Sequence, residues 1–106
     1  MCSMITGKNF IGSRLSSAGK VTFKTFNPQN NRENESLFLE ASGAVIYESV
    51  ALAEEAFKVF RNISGVKRSV FLEEIARELE ALGDVLIQTY CEESGLPQGR
   101  AVGERG

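Results

Sequence analysis

The 106-residue sequence contains no histidine and no tryptophan, and cysteine and proline occur only twice each. Because histidine is the usual general base near neutral pH and the commonest metal ligand, histidine-dependent catalytic triads and histidine-containing zinc sites are excluded. Cys2 and Cys91 stand near opposite ends of the sequence without Cys-x-x-Cys spacing, which excludes a redox motif and a zinc knuckle. Two isolated cysteines are typical of a protein kept in a reducing cytosol.

Long hydrophobic runs are also missing. No stretch approaches the roughly 18 apolar residues that span a bilayer, and the segment from Met1 to Lys8 lacks the apolar core of a signal peptide. We therefore expect a cytoplasmic protein without a membrane partner. The composition, 42% hydrophobic and 25% charged, is close to the globular average, and the length permits at most one ordinary domain. Large multi-domain catalytic machinery is excluded within these residues.

The net charge of -2 is unevenly distributed along the sequence. Residues 1–34 carry five bases against the single acid Glu33, whereas residues 35–106 carry seven bases against thirteen acids. A basic region can attract nucleic acid, but these bases are separated by several residues each, so a solvated strand face is the better interpretation. We predict no nucleic-acid partner. The five bases are Lys8, Arg14, Lys20, Lys24 and Arg32.

The first 41 residues favour β-strands. Apolar and polar residues alternate as in a half-exposed antiparallel strand, and a polar break occupies residues 16–19. We expect an N-terminal β-hairpin that ends at Asn27-Pro28, because proline cannot continue a strand ladder, and then a polar loop over residues 29–35. The predicted strands are residues 9–11, 21–26 and 37–41.

Helical spacing replaces this alternation after Ser42, the predicted N-cap of a first helix that should end within residues 62–65. A second helix is predicted to open after Lys67-Arg68. Apolar residues recur along each helix at steps of three and four, as on one face of an amphipathic helix. The first stripe consists of Ile46, Val50, Ala53, Phe57 and Phe60, and the second stripe of Leu72, Ile75, Leu79, Leu82 and Leu86.

Gly83 interrupts the second stripe and predicts a break there, since glycine costs roughly 1 kcal/mol relative to alanine inside a helix. Asp84 is the predicted cap of a third helix that stops at residues 94–97, and residues 98–106 are predicted to start a fourth. The sequence therefore predicts an α+β fragment, in which a β-hairpin and a short third strand precede three to four helices.

No complete catalytic site emerges from the remaining polar residues. Three adjacent carboxylate pairs fall on predicted helices, where sequence neighbours point about 100° apart, so we predict solvated helix faces. Glu92 and Glu93 follow Cys91 and disfavour the thiolate that a nucleophile needs, so this cysteine is predicted to pack in a helix. Cys2 is predicted to be a flexible terminal residue, and no glycine-rich phosphate loop is present. The pairs are Glu54-Glu55, Glu73-Glu74 and Glu92-Glu93.

Five segments occur in a characteristic order: residues 5–12, Phe26-Asn27-Pro28, residues 51–57, residues 68–76 and residues 92–97. Each segment is short, but together and in this order they resemble the N-terminal portion of NAD(P)-dependent aldehyde dehydrogenases. The resemblance continues through Arg100, Glu104, Arg105 and Gly106. Within the superfamily it is strongest to the branch that oxidises 2,5-dioxopentanoate, also called α-ketoglutarate semialdehyde.

The resemblance implies a strand arm over residues 1–41, near subunit contacts, and helices of a coenzyme-binding domain over residues 42–106. The chain would then be incomplete as a domain. The full homo-oligomeric enzyme would oxidise an aldehyde through a thiohemiacetal on cysteine, transfer hydride to NAD or NADP and hydrolyse the thioester. The family's catalytic cysteine, general-base glutamate and main coenzyme loops belong to later segments. We therefore predict no catalytic, cofactor-binding or metal-binding residue here, and no cofactor bound to this segment.

The opening of the first helix departs from the family pattern. Relatives usually have acidic residues there, whereas this chain has Ser42-Gly43-Ala44-Val45, which loses about 0.3 to 1 kcal/mol of favourable interaction with the helix N-terminus. This departure predicts a less ordered helix start.

Two interpretations of the function remain open. In the first, the chain is a fragment of an aldehyde dehydrogenase and is inactive alone. In the second, it is a non-catalytic module that self-associates or docks onto full-length subunits through the hairpin and the two stripes, which need a partner surface.

Overall fold

The computed structural model describes residues 5–106, which divide into two compact units. Within the described residues, the strand unit comprises residues 5–24 and 36–63, and the helical unit comprises residues 25–35 and 64–106. Strands precede helices along this part of the chain, which confirms the predicted α+β fold. The elements are β1 (Asn9–Ile11), β2 (Arg14–Ser16), β3 (Thr22–Asn27), β4 (Arg32–Leu39), α1 (Gly43–Phe60), α2 (Gly65–Ala81), α3 (Asp84–Ser94) and α4 (Gln98–Arg105).

An N-terminal hairpin is present, but it does not extend to Asn27-Pro28 as predicted: β1 pairs with β2, and this hairpin ends at Ser16. Phe10 lies opposite Leu15, and the chain reverses at Gly12, whose φ of +59° suits glycine. Strand β2 was not predicted, because Arg14-Leu15-Ser16 holds a single apolar residue. β3 pairs with β4 in a second two-stranded sheet.

The prediction of a polar loop over residues 29–35 is wrong for its second half. The chain reverses within residues 28–31, where Asn31 has a φ of +60° and its amide donates to the Asn27 carbonyl at 3.0 Å. Strand β4 then begins at Arg32. The partly buried positions at the start of this strand include Asn34 and Ser36, so the sequence shows no apolar alternation there.

Backbone hydrogen bonds hold the end of β4 within the strand unit. The Leu39 amide donates to the Gly7 carbonyl at 2.9 Å, and the Glu40 amide donates to the Val21 carbonyl at 2.8 Å. Gly19 lies so close to this junction that a Cβ atom there would come within 2.0 Å of the Glu40 carbonyl oxygen. A side chain at position 19 is therefore sterically excluded unless the backbone moves.

Helix α1 begins at the predicted N-cap. The Ser42 hydroxyl oxygen accepts a hydrogen bond from the Val45 amide at 3.3 Å. This cap satisfies one of the terminal amides although the first turn holds no acidic residue, so the start of α1 is regular rather than less ordered. The helix ends at Phe60, two residues before the predicted range.

Helix α2 begins earlier than predicted, because Ser64 acts as its N-cap and accepts a hydrogen bond from the Lys67 amide at 3.2 Å. Lys67 thus lies in the first turn rather than before the helix. The predicted break at Gly83 is confirmed, and its φ is +58°. The predicted cap is wrong by one residue: Gly83 is the N-cap, and Asp84 is the first helical residue. The negative charge of Asp84 there interacts favourably with the N-terminal end of the helix dipole and stabilises α3.

The end of α3 lies where the sequence predicts it. Gly95 takes the left-handed conformation, with a φ of +73°, and its amide donates to the Cys91 carbonyl at 2.9 Å. A Cβ atom at position 95 would lie 3.3 Å from Pro28, so the turn between β3 and β4 packs against the end of α3. Helix α4 agrees with the predicted fourth helix.

Few apolar side chains are buried among the described residues. Ile11 and Val45 are buried in the strand unit, and Ile87 and Ala101 in the helical unit. Within residues 5–106, no helix has both the length and the apolar character needed to cross a bilayer.

Candidate functional site

The first stripe lies along an accessible face of α1. Ile46, Val50 and Phe57 are 52%, 61% and 58% exposed, and the Arg61 guanidinium lies 5.6 Å from the centre of the Phe57 ring. Isolated exposed apolar residues are ordinary on protein surfaces, but a contiguous row of them marks an interaction face. The stripe is therefore a candidate docking face of the strand unit.

Contacts with the first hairpin fix the orientation of α1. Helix α1 contacts β1, and Val45 in its first turn is buried. The Arg14 guanidinium on β2 donates to both carboxylate oxygens of Glu48, at 2.5 and 2.6 Å. Because this ion pair is exposed, it contributes at most about 1 kcal/mol, and apolar contact supplies the rest of the attachment. This orientation directs the first stripe away from the hairpin.

The second stripe crosses the break at Gly83. On α2, Leu72, Ile75 and Leu79 are 63%, 42% and 47% exposed. Past the break, Leu86 is partly buried and lines a cavity of about 250 Å³ together with α4 residues. Leu79 also lines this cavity, so the α2 part of the stripe is a second candidate docking face only over Leu72 and Ile75.

Tyr90 joins α3 to α4 beside this cavity. Partial burial raises its pKa, and the charge and hydrogen bond of Glu104 raise it further, whereas the positive charge of Arg100 lowers it. The Arg100 Nε atom donates to Glu104 Oε1 at 2.7 Å, and this pairing raises the pKa of the guanidinium. The raised pKa of Tyr90 favours the protonated phenol.

Cys91 lies on the wall of an open cleft of about 600 Å³ in the helical unit. The thiol is free and partly buried, which agrees with the prediction of a packed helix cysteine. Asp84 is the charged residue among those that line the cleft, and no lysine or arginine belongs to the lining. A nucleophilic cysteine needs a nearby cation or base, so the cleft does not provide the surroundings of a catalytic thiol. The lining residues are Gln29, Asp84, Ile87, Gln88, Cys91, Leu96, Pro97 and Gln98.

Asn34 connects the β3–β4 sheet to α3, and the sequence did not predict this contact. Its side-chain nitrogen donates to Thr25 Oγ1 at 3.0 Å and to the Glu92 carbonyl at 3.1 Å. The second bond satisfies a carbonyl near the end of α3, where intrahelical partners run out. No periodicity in the sequence marks this residue, since its two partners lie 9 and 58 positions away.

The remaining sequence predictions concern carboxylates and metal ligands. Five of the six paired glutamates are exposed, and Glu92 is partly buried and accepts a hydrogen bond from Gln88 at 3.0 Å. The described part of the chain holds no group of three residues suited to a metal ion. Cys2 lies outside the described residues.

The aldehyde dehydrogenase family model matches residues 15–105, which is most of the chain. This chain belongs to the aldehyde dehydrogenase family. The alpha-ketoglutaric semialdehyde dehydrogenase 2 of Azospirillum brasilense is 36% identical over 103 residues, which are 96% of this chain and 20% of the relative. The alpha-ketoglutaric semialdehyde dehydrogenase of Acinetobacter baylyi is 31% identical over 100 residues, which are 94% of this chain and 19% of the relative.

This aldehyde dehydrogenase family chain therefore spans about a fifth of the length of the curated relatives that it matches. No solved structure matches it significantly. The family match confirms the resemblance that the five ordered segments indicate, and both relatives belong by name to the semialdehyde branch that the sequence favours.

Proposed function

We propose that this chain is the N-terminal segment of a cytoplasmic, homo-oligomeric enzyme that oxidises 2,5-dioxopentanoate or a related semialdehyde to a carboxylic acid with NAD or NADP. Residues 1–41 form its strand arm and residues 42–106 form helices of its coenzyme-binding domain. The segment supplies structure rather than chemistry, and it is inactive alone.

The observation that carries this proposal is the continuous family match over residues 15–105, together with two semialdehyde dehydrogenases that align over nearly the whole chain. The exposed apolar side chains of both stripes agree with it. In a complete subunit they would be covered by the remaining four fifths of the enzyme, and burial of each such side chain is worth about 1.5–3 kcal/mol.

In the proposed enzyme, we expect the dinucleotide site to lie outside the described residues of this segment. The larger cleft is lined by the Asp84 carboxylate, which would repel a pyrophosphate, and its lining holds no cation that would attract one. The proposed reaction needs bound NAD or NADP to accept the hydride, and because this cleft offers no cation to hold it, we place the coenzyme-binding residues in the remainder of the proposed enzyme. We therefore assign no catalytic or coenzyme-binding role to any described residue.

A chimera tests the proposal. The Azospirillum brasilense relative is produced with its matching segment replaced by this chain, and aldehyde oxidation is followed through the absorbance of NADH or NADPH. We expect the chimera to oxidise 2,5-dioxopentanoate and the isolated chain to form no reduced coenzyme. The unmodified relative is the positive control. A relative that lacks the matching segment is the matched negative control, and it should be inactive.

A second function is favoured by the same exposed stripes and by the two-stranded sheets, whose strands present open edges. In this alternative the chain is a non-catalytic module that self-associates or docks onto full-length subunits. Size-exclusion chromatography with light scattering distinguishes the two. A compact monomer that unfolds cooperatively and does not bind the truncated relative would rule out the alternative.

A further inference from the structure

We draw no further inference here: the strongest candidate, the open cleft beside Cys91 between α3 and the start of α4, rests on a lone cysteine with no second observation that points to a ligand.

Discussion

Ala53 and Ala51 form a matched pair that tests whether the first stripe is buried in the complete enzyme. Ala53 belongs to the stripe, whereas Ala51 lies about 160° away around the same helix. Both residues are exposed in the strand unit. Substitution by aspartate costs similar helix propensity at either position, about 0.7 kcal/mol, so a difference between the two variants reports what covers each face.

The magnitude follows from the exposure of the neighbouring side chains. Ile46, Val50 and Phe57 each retain more than half of their exposure. Full burial of such a side chain is worth about 1.5–3 kcal/mol, so covering the exposed parts of all three contributes roughly 3–5 kcal/mol. A carboxylate at position 53 would hold water in the centre of this contact and forfeit most of that energy. We expect a loss of about 3 kcal/mol, or more than 100-fold in the docking equilibrium.

The assay uses the chimera described above. Ala53→Asp should lower its thermal inactivation temperature sharply or abolish its activity, whereas Ala51→Asp should stay close to the parent. In the isolated chain the two variants should give the same circular dichroism spectrum and melting curve, because neither face is covered there. Equal behaviour of the two variants in the chimera would refute the burial of the first stripe.

Three further predictions concern the isolated chain. Gly19→Ala should destabilise it by about 1–3 kcal/mol in thermal unfolding, because the added Cβ meets the Glu40 carbonyl. Gly43→Ala is the control and should be neutral or stabilising, because the space around Gly43 is open. Equal effects of the two substitutions would contradict the steric argument. Asn34→Ala should cost about 1–3 kcal/mol through two lost hydrogen bonds, and a melting temperature unchanged from the parent would contradict that role. Because the pKa of Tyr90 is raised above its ordinary 10.0, its contribution to stability is complete below that pH and is lost as the pH rises through the pKa in the folded state. The difference between the ultraviolet titrations of the parent and of Tyr90→Phe isolates this tyrosine. A Tyr90 that titrates at or below 10.0 would contradict the prediction.

The helices were predictable because their signals are local. Spacing of three and four residues defines both stripes, and Gly83 and Gly95 mark breaks through their backbone freedom alone. Strand β4 was harder to predict, because the partly buried positions at its start are polar. Asn34 shows this most clearly, since its link to Glu92 crosses 58 positions that no periodicity connects.

The candidate site was predictable only in part. Both stripes were identified as faces that need a covering surface, and Cys91 is partly buried, in agreement with the prediction of a packed helix residue. The tyrosine–glutamate contact between α3 and α4 was not predicted, because it depends on the angle at which two short helices meet. The order of five short segments indicated the family, which the match over residues 15–105 confirms.

The central claim is that this segment supports aldehyde oxidation without supplying the reacting groups. The most direct test measures NADH or NADPH formation from 2,5-dioxopentanoate by the isolated chain and by the chimera, side by side. We expect no reduced coenzyme from the isolated chain and clear formation of reduced coenzyme by the chimera. Reduced coenzyme formed by the isolated chain, or a chimera that folds as stably as the relative yet oxidises no aldehyde, would contradict it.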